Sequence, residues 1–348
     1  IKVSDENLEE LSLYITTANN MLSKIDSSID EIYNSGNLEQ LDELKNQTIR
    51  YYLVGTNINR LVRDVVTYSP LLSLPDHEIN QYFGYDGIHS YQIKERIVMS
   101  KFLLDNNAVS SDYANVFTAT KTSNSEKNAF DFVYFGLEIT TFIIIVFTVV
   151  IAAGMLAGEQ SSGTLKLLLI RPYSRSKILT SKLLATMIFA TIFLLFSTIV
   201  LFLIGLFTMG ANFTPILCVF NASSAFVVSP FVLLLIYLAC ILFKILMYIL
   251  LALAISAIFR SNVAAVGVSI VLYLLSIFGT IFAGTYWYGY LPFSNLDLFK
   301  YLGGSFIANG SLSPLQVIFS TPMFYEGSFT YSLLISLGFG LILLSLTY

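Results

Sequence analysis

The chain has 348 residues, is 55% hydrophobic with a mean hydropathy of +0.71, and carries charge on only 12% of its residues. A soluble domain has roughly 25% charged residues, so this composition excludes an ordinary soluble fold and points to a membrane protein. The formal net charge of -4 hides a split: residues 1–128 hold 11 basic and 18 acidic residues, and residues 129–348 hold 8 and 5. An acidic polar part is therefore joined to a slightly basic membrane part, and nucleic-acid binding is not suggested.

The sequence begins at Ile1 without a start Met and stops at Tyr348 inside an apolar run. Both ends read as trimmed, and a segment is expected upstream. From Leu8 the apolar positions Leu8, Leu11, Ile15, Ala18, Leu22, Ile25, Ile29 and Ile32 alternate steps of 3 and 4, the stripe of a coiled coil. Ser4 is placed to cap that helix, and Asn34-Ser35-Gly36-Asn37 to end it. A second stripe runs Leu41, Leu44, Thr48, Tyr51, Gly55, Ile58, Val62, Val65. The pattern predicts an antiparallel helical hairpin over 5–66, acting as a stalk or as a contact for a substrate or accessory protein. A further helix is predicted over 90–106, with Ile93, Ile97, Met99, Phe102 and Leu103 mostly on one side. The tract 118–128 reads as a linker. Asp86, His77 and His89 lack a convincing third and fourth metal ligand, so no metal is expected. Cys218 and Cys240 read as small buried hydrophobes.

From Phe130 the pattern becomes continuously apolar. Spans are expected over 130–157, 183–209, 263–283 and 329–348. The run 226–259 is too long for one simple span. It predicts either a tilted helix, or a short re-entrant piece followed by a span near 237–258. Glu138 and Lys244 fall inside spans, where charge is costly. They read as anchor and packing residues or as the lining of a translocation route, and would satisfy each other if paired.

Between the first two spans, residues 158–182 carry Lys166, Arg171, Arg175, Lys177 and Lys182 against the single acid Glu159. A short basic loop between spans belongs on the cytoplasmic side. Counting from there places 1–128, the loop near 210–224 and residues 286–328 outside. An external start needs either a cleaved signal or a preceding span; a preceding span is favoured, giving six in all. The fold class expected is all-α: a polytopic helical membrane domain over 129–348, and over 1–128 an external helical domain containing the coiled-coil hairpin.

The order Glu159, Gly163-Thr164, Leu167-Leu168, Pro172, Ser174-Arg175, Lys182 resembles the cytoplasmic motif of ABC-2-type permeases, the membrane subunits of type V ABC exporters. Residues 256–262 resemble that family's second cytoplasmic turn. The large external insert between the first two spans is similar to the bacterial branch with sodium, antibiotic and peptide exporters. The resemblance covers roughly 130–348. It implies a coupling segment that docks on a separate cytoplasmic ATPase through Glu159, Gly163, Thr164, Leu165, Leu168, Arg171, Pro172, Arg175 and Lys182. It also implies a second permease subunit, identical or not, in the cell membrane. The residues agree in part. Gly163 permits a bend, 164–169 can form a short helix with an apolar surface, and Pro172 stops it. Arg175 is expected to pair with Glu159 or with a carboxylate of the partner. The sequence contains no GxxxxGK[ST] phosphate loop, so ATP and Mg would sit on the partner, with no cofactor on this chain and no enzyme activity of its own. The basic residues alone could instead be a topology signal. The competing expectation is a non-transporting membrane sensor or scaffold whose external hairpin binds a partner.

Overall fold

The structure is a computed structural model. It describes residues 68–75, 90–105, 129–161, 175–210, 216–221, 223–259, 261–282, 291–304 and 329–347, with the single or paired positions 16, 19–20, 22–24, 26–27, 30, 61, 65, 78 and 81. The chain divides into two units.

The first unit comprises Ile1–Ser125, Ile216–Val227 and Tyr301–Ser311. Its helix α1, Ser90–Asp105, matches the predicted one closely. Ile93 and Ile97, one turn apart, are buried with Leu71 of the short 3-10 turn Ser69–Ser73, and Tyr68 and Leu74 pack around them. Met99 and Leu103 continue the buried face. A three-stranded sheet is built from β1 (Ile216–Phe220), β2 (Ser224–Val228) and β3 (Leu302–Gly304), in the order β2-β1-β3. β1 runs antiparallel to β3, with Cys218 opposite Gly304 and Phe220 opposite Leu302. Asn221, at φ 52, turns the chain between β1 and β2 and donates its N–H to Tyr301 O at 2.9 Å. Asn tolerates that left-handed backbone better than a branched residue would.

This sheet overturns the all-α expectation. The residues involved, Ile-Leu-Cys-Val-Phe and Ser-Ala-Phe-Val-Val, are β-branched and aromatic runs flanking a turn, the composition of a hairpin. In an apolar sequence they read as loop and as the start of a span. The coiled-coil hairpin expected over 5–66 is not borne out as the mark of this fold, and most of those residues lie outside the described ones. The aromatic run Tyr286, Trp287, Tyr288 and Tyr290 also lies outside them.

The second unit is a helical membrane bundle. Four helices among the described residues are long and apolar enough to cross a bilayer: α2 (Ala129–Ser161), α3 (Arg175–Met209), α4 (Pro230–Ile258) and α6 (Phe329–Thr347). Between the last two comes α5, Asn262–Phe282, whose described apolar part is Asn262–Ile277. Its bounds match the span expected over 263–283. The 226–259 run resolves into a strand, a cap and one helix. Ser229 caps α4 by accepting the Val232 N–H at 3.4 Å, and Pro230 occupies its first turn, where no N–H is missed.

α2 packs on α3, α4 and α5, and α4 also packs on α6. Close approach of α2 and α3 depends on two glycines. A Cβ at Gly136 would stand 2.5 Å from Leu201 Cδ2, and one at Gly205 would stand 3.0 Å from Ala129 O. Gly210, at φ 75, ends α3, and its carbonyl accepts the Ala129 N–H that opens α2, at 3.1 Å. Phe130 is buried with its ring edge-to-face on Phe202 and Phe231. The outer side of α3 remains apolar and exposed, with Ile188, Ile192, Phe196 and Ile199 at one-turn spacing; that is the surface a helix presents to lipid. These features make the chain a multi-pass helical membrane protein.

Residues 291–299, part of the stretch expected on the outer side, pack against α4 within the bundle. Phe293 stacks beside Tyr248 and Phe299 on Tyr237 at 4.5 Å. Those tyrosines stand roughly 27 and 10 Å along α4 from Pro230 at 1.5 Å per residue. The segment therefore re-enters along α4 as 3-10 turns. Such backbone is tolerated at membrane depth only where its polar groups are satisfied. Buried Asn295 supplies much of that: Ser332 Oγ donates to its Oδ1 at 2.5 Å, Ser336 Oγ to its carbonyl at 2.8 Å, and its own Nδ2 donates to Leu291 O at 3.0 Å. Asn295→Leu is expected to leave two of these partners unmet and to cost about 1–3 kcal/mol. The detergent-solubilised protein should melt lower, and Ser332→Ala should add little on that background. An unchanged melting curve for Asn295→Leu would show that these bonds do not hold the segment.

Candidate functional site

Two polar clusters interrupt the apolar bundle. The first lies where α2 ends and α3 begins. Lys182, about two turns into α3, extends its ammonium to the last turns of α2. It donates to Met155 O at 3.1 Å and forms an ion pair with Glu159. Its side chain is 11% exposed and that of Glu159 31%, so the pair is neither fully solvated nor fully buried. A carbonyl late in a helix and a carboxylate together give the ammonium two acceptors, which suits the negative end of the helix dipole. The Thr186 hydroxyl donates back to Lys182 O at 3.0 Å. From α4, buried Ser256 meets the same end of α2: its hydroxyl donates to Ala153 O at 2.6 Å and accepts the Ala157 N–H at 2.8 Å.

Of the coupling residues expected from the sequence, Glu159 and Lys182 are brought together by this pair. Arg175 opens α3. Gly163, Thr164, Leu165, Leu168, Arg171 and Pro172 lie outside the described residues. Glu159 is paired with Lys182, a partner that the sequence pattern did not assign to it. Two antiparallel helices facing each other select the partner two turns into α3, where the side chain can reach back along α2. Ser256 stood in the sequence inside the motif-like turn, but its partners are 99 and 103 residues away and no local signal names them.

The second cluster lies deeper. Lys244 of α4 pairs with Asp297 of the re-entrant segment, Nζ to Oδ2 3.6 Å, with both side chains partly exposed. Glu138 of α2 is within electrostatic range of Lys244 and of Tyr237. Aromatic rings surround these charges. Tyr237 lies 5.4 Å from Tyr134 and 4.5 Å from Phe299 between centroids, and Tyr248 lies 4.9 Å from Tyr273 while sharing a 2.8 Å hydrogen bond with Ser276. One turn beyond Glu138, the Thr141 hydroxyl is buried with no hydrogen-bond partner among the described residues. The sequence singled out Glu138 and Lys244 but missed Asp297. The only signal was an acid in an aromatic stretch, and its meaning depends on that stretch folding back. Among the described residues no group of three His, Cys, Asp or Glu could hold a metal ion. His77, Asp86 and His89 lie outside them. Cys218 is buried and Cys240 half-buried, and neither forms a disulfide.

Removing one partner of a half-buried pair strands the other charge, whereas removing both does not. Lys244→Met and Asp297→Leu are each expected to destabilise the solubilised protein by about 1–3 kcal/mol, below the range for full burial because the pair is partly exposed. The double variant should recover most of that loss. If it melts no higher than either single variant, the two side chains are not a pair.

Comparisons with known proteins give little chemistry. Residues 96–345 match the family described as "Protein of unknown function (DUF2705)". The "Uncharacterized protein YhcI" of Bacillus subtilis (strain 168) is 32% identical over 177 residues, 49% of this chain and 56% of that protein. The match thus spans a little over half of that relative's length. No solved structure matches the chain. With the family match covering both the re-entrant segment and the Glu159–Lys182 end of the bundle, the chain belongs to the family of proteins of unknown function DUF2705.

Proposed function

We propose that this chain is the permease subunit of an ATP-driven exporter. The observation that carries the reading is the Glu159–Lys182 pair. It ties together the ends of two spanning helices that frame the basic segment 158–182. A loop held this way cannot be pushed without moving α2 and α3, and α2 packs on three other helices. That is the mechanical property a coupling segment needs. In this reading 158–182 is cytoplasmic and residues 1–128 are external. A separate ATPase carrying ATP and Mg docks on the segment through Arg171, Arg175 and the apolar residues of 164–169. A second permease subunit completes the route across the cell membrane.

The inner cluster suits the lining of that route. Glu138, Thr141, Lys244 and Asp297 bring charge and an unmet hydroxyl to membrane depth, where charged side chains face protein or water rather than lipid. The cargo class stays open among an antimicrobial peptide, a drug, a lipid-like molecule and an ion.

Glu159→Gln and Lys182→Met should reach the membrane in near-normal amounts. Coupling between ATP hydrolysis and transport should fall by about 5–150-fold. Copurification of the ATPase should persist in both, while Leu168→Asp should lose it. The check is ATPase recovery, hydrolysis and efflux for each variant side by side. Normal efflux in all three would remove the coupling assignment and leave the segment a topology signal.

A further inference from the structure

The end of α2 is bonded in a way that goes beyond holding helices together. In an α-helix the Ala157 N–H and the Ala153 C=O are partners, four residues apart. Here Ser256 of α4 bonds to both, accepting from Ala157 N at 2.8 Å and donating to Ala153 O at 2.6 Å. A hydroxyl can do this because it is donor and acceptor at once. Helices bend where a side chain enters the hydrogen-bond ladder. Opening a rung at membrane depth normally strands two backbone groups with no water to meet them. At this rung neither is stranded, because both already have the hydroxyl.

The surroundings agree. Gly154 lies inside the rung, and glycine weakens a helix interior. Space does not demand it there, since an added Cβ would come no closer than 3.4 Å, to Asn262 Oδ1. Before the rung the helix is fixed: Ala152 and Ala153 are fully buried, and Thr148 is buried with its hydroxyl bonded to Ile144 O and Ile145 O. After it the helix has room. A Cβ at Gly158 would meet nothing within 4 Å among the described residues, and Ser161 is exposed. One link beyond the rung is Lys182, whose long flexible stem can follow Met155 O and Glu159 as they move.

We propose that the 153–157 turn of α2 is a hinge pivoting on the Ser256 hydroxyl, with Ser256 the positioning residue for the segment that follows. The last turn, carrying Glu159, swings while the body of α2 stays packed. That the swing serves ATP coupling rests on the transport reading, whereas the hinge itself does not.

The test uses the full chain in lipid nanodiscs, with Cys218 and Cys240 replaced by Ala. Spin labels go on Ile143, before the hinge, and on Ser161, after it; both are exposed. A straight helix puts their backbones roughly 27 Å apart at 1.5 Å per residue. Pulsed electron resonance should show two distance populations in the parent protein. Ser256→Ala removes the hydroxyl that bridges Ala153 O and Ala157 N and should merge them into one near the straight-helix value. Ser256→Thr keeps the hydroxyl and should keep both. If Ser256→Ala fails to accumulate, Gly154→Ala is read in its place and should also favour the straight population. A single narrow population in the parent, or an unchanged distribution in Ser256→Ala or its substitute, overturns the hinge. Two populations that merge as described, in a protein with no ATPase partner and no transport, would remove the transport reading and leave the hinge standing.

Discussion

A hydrocarbon layer contains no water, so each polar group placed in it must find its partner in the protein. That constraint organises the second unit. The Lys182 ammonium is met by a carbonyl and a carboxylate of α2. The re-entrant 3-10 turns lie within the bundle because Asn295, Ser332 and Ser336 satisfy one another and the local backbone. Lys244 is met by Asp297 of that same segment. Each of these contacts joins elements distant in sequence, so the polar groups fix which helices neighbour which, while the apolar surface supplies the bulk of the burial.

α2 is the element on which these contacts converge. Its start is pinned to the end of α3 through Gly210 and by the glycine-mediated approach at Gly136 and Gly205. Its first half carries Glu138, within electrostatic range of Lys244, and its end is held by Ser256 and Lys182. The two ends differ in kind. The first is held by close backbone packing that admits no added methyl group without displacement. The second is held by a hydroxyl and a flexible ammonium, groups that can rearrange without losing their bonds. A helix anchored firmly at one end and adjustably at the other is suited to pass movement from a loop into a bundle.

Much of the bundle was legible in the sequence because long apolar runs admit few structures in lipid. The helix at Ser90, the end of α3 at Met209 and the start of α6 at Phe329 all followed from pattern. Glu159, Lys182, Glu138 and Lys244 were singled out because charge beside apolar runs needs a reason. What failed depended on non-local contact. The strands β1 and β2 hid in an apolar sequence whose β-branched character competes poorly for notice beside spans. Asp297 meant nothing until the chain around it turned back along α4. The Glu159–Lys182 pair depends on two helices packing side by side, which the spacing of the motif does not show.

The central claim is that the segment between α2 and α3 meets a cytoplasmic ATPase. The most direct measurement places a photoreactive amino acid at Ser161, an exposed position at the end of α2, in intact cells of the native host. The account predicts a crosslink to a polypeptide with a phosphate-binding loop, identified by mass spectrometry, and no labelling of a cysteine at the same position by a membrane-impermeant reagent added outside. Labelling from outside, with no ATPase crosslinked, would contradict it.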